Sequence, residues 1–378
     1  MSVSEIKPSN NNDLIAMEVG ETSVASRSYS LDVIKIIATV LIVFHHYQQH
    51  YDVELDHINF YGGKFYFGYI VELFFILSGY FMAKYISQIQ DGLSFKEFYL
   101  KRFLRLFPLV ALSTIAYAFL NTWWLYLSSG VWENEKISLW KMFITMIGIQ
   151  DGWVFANPSI NNPVWYISVL LLCYIVFYIT CIYAKRKKIP VIYLHIFLIL
   201  LGFGIQTYKI KLPFMINHSA RGYIAFFWGV IFAQIVKKIK INWKWVLSCA
   251  LIVCVFPVLI WKESILMSSE VGYSMTFFFY PALIILFLTE PVQKLFNHPW
   301  IGKYGEISFD IYIWHLCCFG LIDCLLKVFH WKINKGSYKL MFLYYIGIAL
   351  VGTVSYFFFE QPCARKTKEW LRHISEQN

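Results

Sequence analysis

At 378 residues, with 58% hydrophobic, 20% aromatic and only 15% charged side chains, the chain has too little polar residue to cover a water-soluble globule and belongs in a bilayer. Its net charge of +10 is carried by short basic clusters between apolar runs, the pattern of membrane topology, and this excludes a nucleic-acid-binding fold. The eight cysteines include no CxxC pair and seven of them lie inside apolar segments, so they read as reduced core thiols with no metal centre.

Residues 1–28 are polar and carry neither an apolar signal core nor a small-residue cleavage site; they read as a flexible cytoplasmic tail. Apolar stretches then recur at 30–50, 65–84, 106–128, 163–184, 190–207, 221–236, 244–261, 272–289, 307–328 and 338–360. Each approaches the ~20 residues that a helix needs to cross a ~30 Å hydrocarbon core. The expected protein is all-α and polytopic, with about ten transmembrane helices in one membrane domain over 29–362 and a basic tail over 363–378. The clusters at 84–105, 185–188 and 237–240, with Lys294, Lys303 and the tail, fall on one side if both termini lie there. The positive-inside rule makes that side the cytoplasm and the protein a multi-pass component of the plasma membrane. The segment "SLWKMFITMIGI" (138–149) is too short to span and reads as interfacial.

The first span, "SLDVIKIIATVLIVFHHYQQH", carries unusual polar groups. On a helix Asp32, Lys35, Thr39 and His46 share one face, whereas His45 is turned by about 100° toward Ile34, Ala38 and Leu41. Asp32 and Lys35 can pair at i,i+3, and His46 stands about 16 Å further along the stripe. An ionisable group deep in a span is costly, and histidine is the side chain suited to proton transfer near neutral pH. His46 is therefore a candidate base, with a hydrogen bond between helices as its structural alternative.

In the second span Glu72 precedes "LFFILSGY" and is a functional candidate on the same ground. Ser78 and Gly79 read as a site of close helix packing. In "YLKRFLRLFP" (99–108), Arg102 and Arg105 stand at i,i+3 at a helix start before Pro108, a fork able to hold headgroup or cofactor phosphates. His315, in "ISFDIYIWHLC", lies on one helix face with Ser308 and Tyr312 and could form a second polar centre.

These pieces, in this order, resemble the acyltransferase 3 family of integral membrane proteins. The likeness is carried by Asp32, Lys35 and His46 in the first span, then "ELFFILSGY", "KRFLRLFP", "NNPVWYISVLLLCY" with Trp165, "GEISFDIYIWH" with His315, and "SYFFFEQPCARK" with Glu360. It runs from about residue 29 to 366. The resemblance implies transfer of an acyl group, usually acetyl from cytoplasmic acetyl-CoA as co-substrate, to a hydroxyl of a cell-surface glycan or its lipid-linked precursor. It implies His46 as the essential histidine, with Lys35, Asp32 and Glu72 in the catalytic set. Arg102 and Arg105 would serve donor binding, and Ser78, Trp165, His315 and Glu360 would support. The implied partners are membrane lipid, acyl-CoA and the glycan, with no metal. The family usually has arginine where this chain has Lys35, which keeps the charge but loses the bidentate fork. A proton-coupled transporter or flippase, or a non-catalytic relative, would also account for the buried polar groups. The lack of a visible internal repeat argues against the transporter.

Overall fold

The computed structural model describes residues 28–55, 59–62, 66–130, 138–153, 160–263 and 269–377. The expected tail over residues 1–28, except its last residue, and parts of the loops at 52–63 and 262–270 lie outside them. In chain order the helices are α1 (Tyr29–Tyr51), α2 (Ile70–Met82), α3 (Tyr85–Gln90), α4 (Phe95–Ser129), α5 (Leu139–Met146), α6 (Trp165–Lys187), α7 (Val191–Thr207) and α8 (Asn217–Lys238). They continue with α9 (Trp243–Glu263), α10 (Ser269–Ser274), α11 (Tyr280–Phe287), α12 (Glu290–Leu295), α13 (Pro299–Val328), α14 (Tyr338–Ser355) and α15 (Gln361–Gln377). π-helical turns at Met275–Phe279 and Tyr356–Glu360 join α10 to α11 and α14 to α15.

Seven helical segments among the described residues are long and apolar enough to cross a membrane: Tyr29–Tyr51, Phe95–Ser129, Asn162–Lys187, Asn217–Lys238, Glu270–Phe287, Pro299–Val328 and Tyr338–Trp370. The other three expected spans fall on shorter apolar helices, Phe67–Met82, Val191–Thr207 and Trp243–Leu259. Large apolar side chains such as Phe119, Leu200, Val258 and Phe358 point outward, as on a surface meant for lipid. The segment at 138–149 forms the short helix α5, which exposes Leu139, Trp140 and Phe143.

Two helices begin eight or more residues before their apolar runs. α4 starts at Phe95, eleven residues before the expected 106, because Ser94 caps it by accepting from the Glu97 backbone N–H at 3.2 Å; Ser-x-x-Glu is a helix-start signature that hydropathy does not register. The helix runs through Pro108 and stops at Gly130, whose φ of +74° suits a residue without Cβ. α13 likewise starts at Pro299 rather than 307, with the proline in the first turn where its missing N–H costs nothing.

α2 packs on α8, which also packs on α7 and α6, while α1 lies along α13, itself packed on α4 and α14. The α2–α8 contact is glycine-mediated on both sides. A Cβ on Gly79 would stand 1.9 Å from the Phe226 carbonyl oxygen, and one on Gly229 would stand 2.2 Å from that of Ile76. The two backbones touch there, and Ser78 Oγ reaches the Tyr166 hydroxyl at 3.2 Å, so the Ser78–Gly79 step is the close-packing site that its small residues imply.

We call the side where α1 begins the near side and the opposite one the far side. Lys35 Nζ stands 5.0 Å from the Phe81 ring at the end of α2, and Tyr178 of α6 bonds the Leu93 carbonyl just before α4. The basic clusters at 84–105 and 185–188 therefore share the near side with the start of α1.

Candidate functional site

α1 and α13 run parallel, and their facing residues build the first half of the site. At the near end Gly305 of α13 lies against Asp32, whose side-chain atoms would be 2.6–2.9 Å from any Cβ there. The missing side chain is what makes room for a buried carboxylate. Asp32 Oδ1 accepts from Lys35 Nζ at 2.9 Å, the expected i,i+3 pair, with the carboxylate buried and the ammonium half-buried.

Towards the far end the same two helices bring His46 and His315 together. Their rings are nearly parallel, with centroids 4.8 Å apart, and His46 Nδ1 lies 2.8 Å from His315 Nε2. His315 Nδ1 is 2.5 Å from the Tyr312 carbonyl oxygen, which can only accept. His315 therefore carries its hydrogen on Nδ1 and presents a lone pair at Nε2, and His46 must donate from Nδ1. The lone pair of His46 is left on Nε2, which makes no hydrogen bond among the described residues. One turn beyond, His50 bonds Asp323 at 2.8 Å, and Lys335 bonds the other oxygen of the same carboxylate at 2.8 Å. This closes the far end of the α1–α13 seam.

His45 departs from the expected wholly apolar setting. It is buried, its Nδ1 is 2.9 Å from the Phe60 carbonyl, and Tyr61 and Tyr66 meet its ring edge-on. Phe60, Tyr61 and Tyr66, which follow α1 in the chain, lie over this face, and the Phe60 carbonyl supplies the polar partner.

The second half of the site lies on α2, α6 and α8. Glu72 is held by Arg221 through two bonds, Nε to Oε1 at 2.6 Å and Nη2 to Oε2 at 2.9 Å, while Nη2 also donates to the Gly68 carbonyl. This bidentate pair satisfies the buried Glu72 carboxylate and the part-buried Arg221 guanidinium. Trp165 packs its ring under the Arg221 guanidinium at 4.9 Å and on its other neighbour, His218, at 4.3 Å. Beside this pair opens a cavity of about 660 Å³ on the far side, lined by Tyr66, Tyr69, Glu72, Gln206, Asn217, Arg221 and Tyr273 among others. Tyr66, which borders the cavity, is also the ring against His45.

Arg102 and Arg105 sit in different surroundings. Arg102 lies over Phe98 at 3.8 Å and Tyr85 at 4.2 Å and donates to the Phe98 carbonyl and the Met82 sulfur. Arg105, three residues on, is exposed. Glu360 is buried beside Asp310, whose Oδ1 accepts from Ser355, and so belongs to the α13–α14 junction rather than to the His46 pair. Among the described residues no cluster of His, Cys, Asp and Glu could hold a metal ion.

Arg221 is the residue that sequence reading missed. It opens the expected span 221–236 and passes as a flanking charge, although a carboxylate at Glu72 inside a span calls for a buried cation somewhere. Asp151 and His218, joined at 2.7 Å, were also missed, since nothing local links residues that far apart.

Residues 28–360 match a family model described as an acyltransferase domain. The chain is also 24% identical over 338 residues to a protein named O-acetyl transferase from Shigella phage Sf6, covering 87% of this chain and 94% of that protein. No solved structure matches.

Proposed function

Because the chain belongs to the acyltransferase 3 family, whose model spans 28–360, we propose that it is a plasma-membrane O-acyltransferase. Its donor is acetyl-CoA from the cytoplasm, and its acceptor is a hydroxyl of a cell-surface glycan or of the lipid-linked precursor. The O-acetyl transferase name of the phage relative supports acetyl as the group moved. The near side faces the cytoplasm in this reading, because the basic clusters gather there.

The observation that carries the proposal is the open Nε2 of His46, with its tautomer held by His315. Acyl transfer to an alcohol needs a base for the hydroxyl proton. His46 Nε2 takes that proton as the hydroxyl oxygen forms its bond to the thioester carbonyl carbon. The tetrahedral intermediate then collapses, the carbon–sulfur bond breaks, and the thiolate takes the proton from the imidazolium. Ester and thiol are the products, with no net proton released. His315 acts through His46 by accepting from Nδ1 throughout, which orients the ring. The exposed guanidinium of Arg105 supplies positive charge on the side from which an anionic CoA would enter, and the Lys35 ammonium stands on that side paired with Asp32.

The test compares the O-acyl content of surface glycan from cells with and without the protein, with His46→Ala as the inactive control. Base-labile acetyl groups should be present only with the wild-type chain. An acyl content indifferent to its presence refutes the reading.

A further inference from the structure

The far side holds a second carboxylate–imidazole pair that the mechanism above does not use. Asp151 lies in the turn after α5 and is 1% exposed. Its backbone is gripped from both directions by Ser168, which accepts from the Asp151 N–H at 3.1 Å and donates to its carbonyl at 2.6 Å. The Asp151 carboxylate accepts from His218 Nδ1 at 2.7 Å, and Oδ1 has no hydrogen-bond partner among the described residues. That bond places the hydrogen on Nδ1 and leaves the lone pair of a neutral His218 on Nε2. Stacking on Trp165 at 4.3 Å and 22° fixes the ring plane. His45, His195 and His315 are 0–3% exposed, whereas the His218 side chain is 31% exposed. It stands in the first turn of α8 and is not itself among the residues lining the far-side cavity, but Trp165 touches both it and Arg221, which is.

A pin holding the 150–153 turn against α6 and the segment before α8 would need none of this. The turn is already tied by the two Ser168 bonds, by Trp153 Nε1 donating to the Ser168 carbonyl at 2.9 Å, and by Phe214 N–H donating to the Trp153 carbonyl. What the dyad adds is a fixed, part-exposed acceptor one side chain away from a cavity of small-molecule size.

We infer that Asp151 and His218 form a hydroxyl-binding subsite, in which His218 Nε2 accepts a hydrogen bond from a sugar hydroxyl of the acceptor other than the one acylated. The site selects the acceptor and leaves the chemistry to His46. This inference rests on the acyltransferase reading for its purpose but not for its test, because binding is read without donor.

The full-length chain in detergent is titrated calorimetrically with methyl glucoside, methyl galactoside and methyl mannoside and with their monodeoxy analogues. Wild type should bind at least one glycoside and lose about tenfold in affinity for one of its deoxy forms, the range of a hydrogen bond to a charge-linked partner. His218→Ala should lose a similar factor for the parent glycoside and show no further loss for that deoxy form. In acyl transfer from acetyl-CoA to the same glycoside, the acceptor KM should rise while kcat and donor KM hold. If His218→Ala does not fold, His218→Phe combined with Asp151→Asn keeps the ring on Trp165, removes the lone charge and serves the same comparison. Additive losses, unchanged binding in a folded variant, or no binding of any glycoside to wild type overturns the subsite. Binding with the expected coupling but no acyl transfer overturns the acyltransferase reading and leaves the subsite standing.

Discussion

His46 Nδ1 lies 2.8 Å from His315 Nε2, and this contact decides which nitrogen of His46 is free to act. Replacing His46 by alanine removes the base, and transfer should fall by about 10²- to 10⁴-fold. His315→Ala should cost less. His315→Gln should recover part of that loss, because its amide oxygen can still accept from His46 Nδ1. Rates of labelled acetyl transfer in reconstituted vesicles check the order. Equal activity of His315→Ala and wild type would show that the orientation is irrelevant.

His45→Ala should act on stability rather than on chemistry. It removes the bond to the Phe60 carbonyl and the ring between Tyr61 and Tyr66, at a cost of about 1–3 kcal/mol. The midpoint of thermal unfolding in detergent should drop while the folded fraction keeps its turnover. A stable but inactive His45→Ala would move the base from His46 to its neighbour.

Glu72 is buried and bound by the part-buried Arg221 through two matched bonds, so either partner left alone lacks its compensating charge. Glu72→Gln or Arg221→Gln should each lower stability by about 3–5 kcal/mol. The double replacement by Leu and Met should cost less than the sum. Denaturant midpoints for the three variants decide this, and additive losses would mean that the two residues do not depend on each other.

Arg102 and Arg105 should separate cleanly. Arg102 covers Phe98 and Tyr85, so Arg102→Ala should destabilise by about 2 kcal/mol through lost packing. Arg105→Ala should leave the unfolding midpoint unchanged and raise the donor KM. Titration of acetyl-CoA against both variants checks the split, and an unchanged donor KM in Arg105→Ala returns that residue to lipid headgroup contact.

Lys35 carries the departure from the family's usual arginine. Its pairing with Asp32 at 2.9 Å requires charge rather than a planar fork, so Lys35→Arg should stay active and Lys35→Gln should lose activity. Competition between acetyl-CoA and succinyl-CoA, read by mass spectrometry of the acceptor, shows whether Lys35→Arg also shifts donor preference. Full activity of Lys35→Gln with either donor would leave Lys35 as an interfacial anchor.

The sequence by itself determined the class of the molecule and the periodicity within each helix. Apolar runs of spanning length leave a chain few alternatives to helices, because a backbone in hydrocarbon must bond to itself. The 3.6-residue repeat then set Asp32, Lys35 and His46 along one stripe, and the i,i+3 pair followed from spacing alone. The small residues Ser78 and Gly79 marked a close contact for the same local reason. Only the tertiary structure decided which groups meet across helices. His315 turns toward His46, Arg221 answers Glu72, and Asp151 finds His218, over separations of 269, 149 and 67 residues. Those pairings depend on how whole helices pack, with Gly305 opening space for Asp32 and with Gly79 and Gly229 setting the distance between α2 and α8. A linear pattern records where a buried charge sits, but packing chooses the partner that satisfies it.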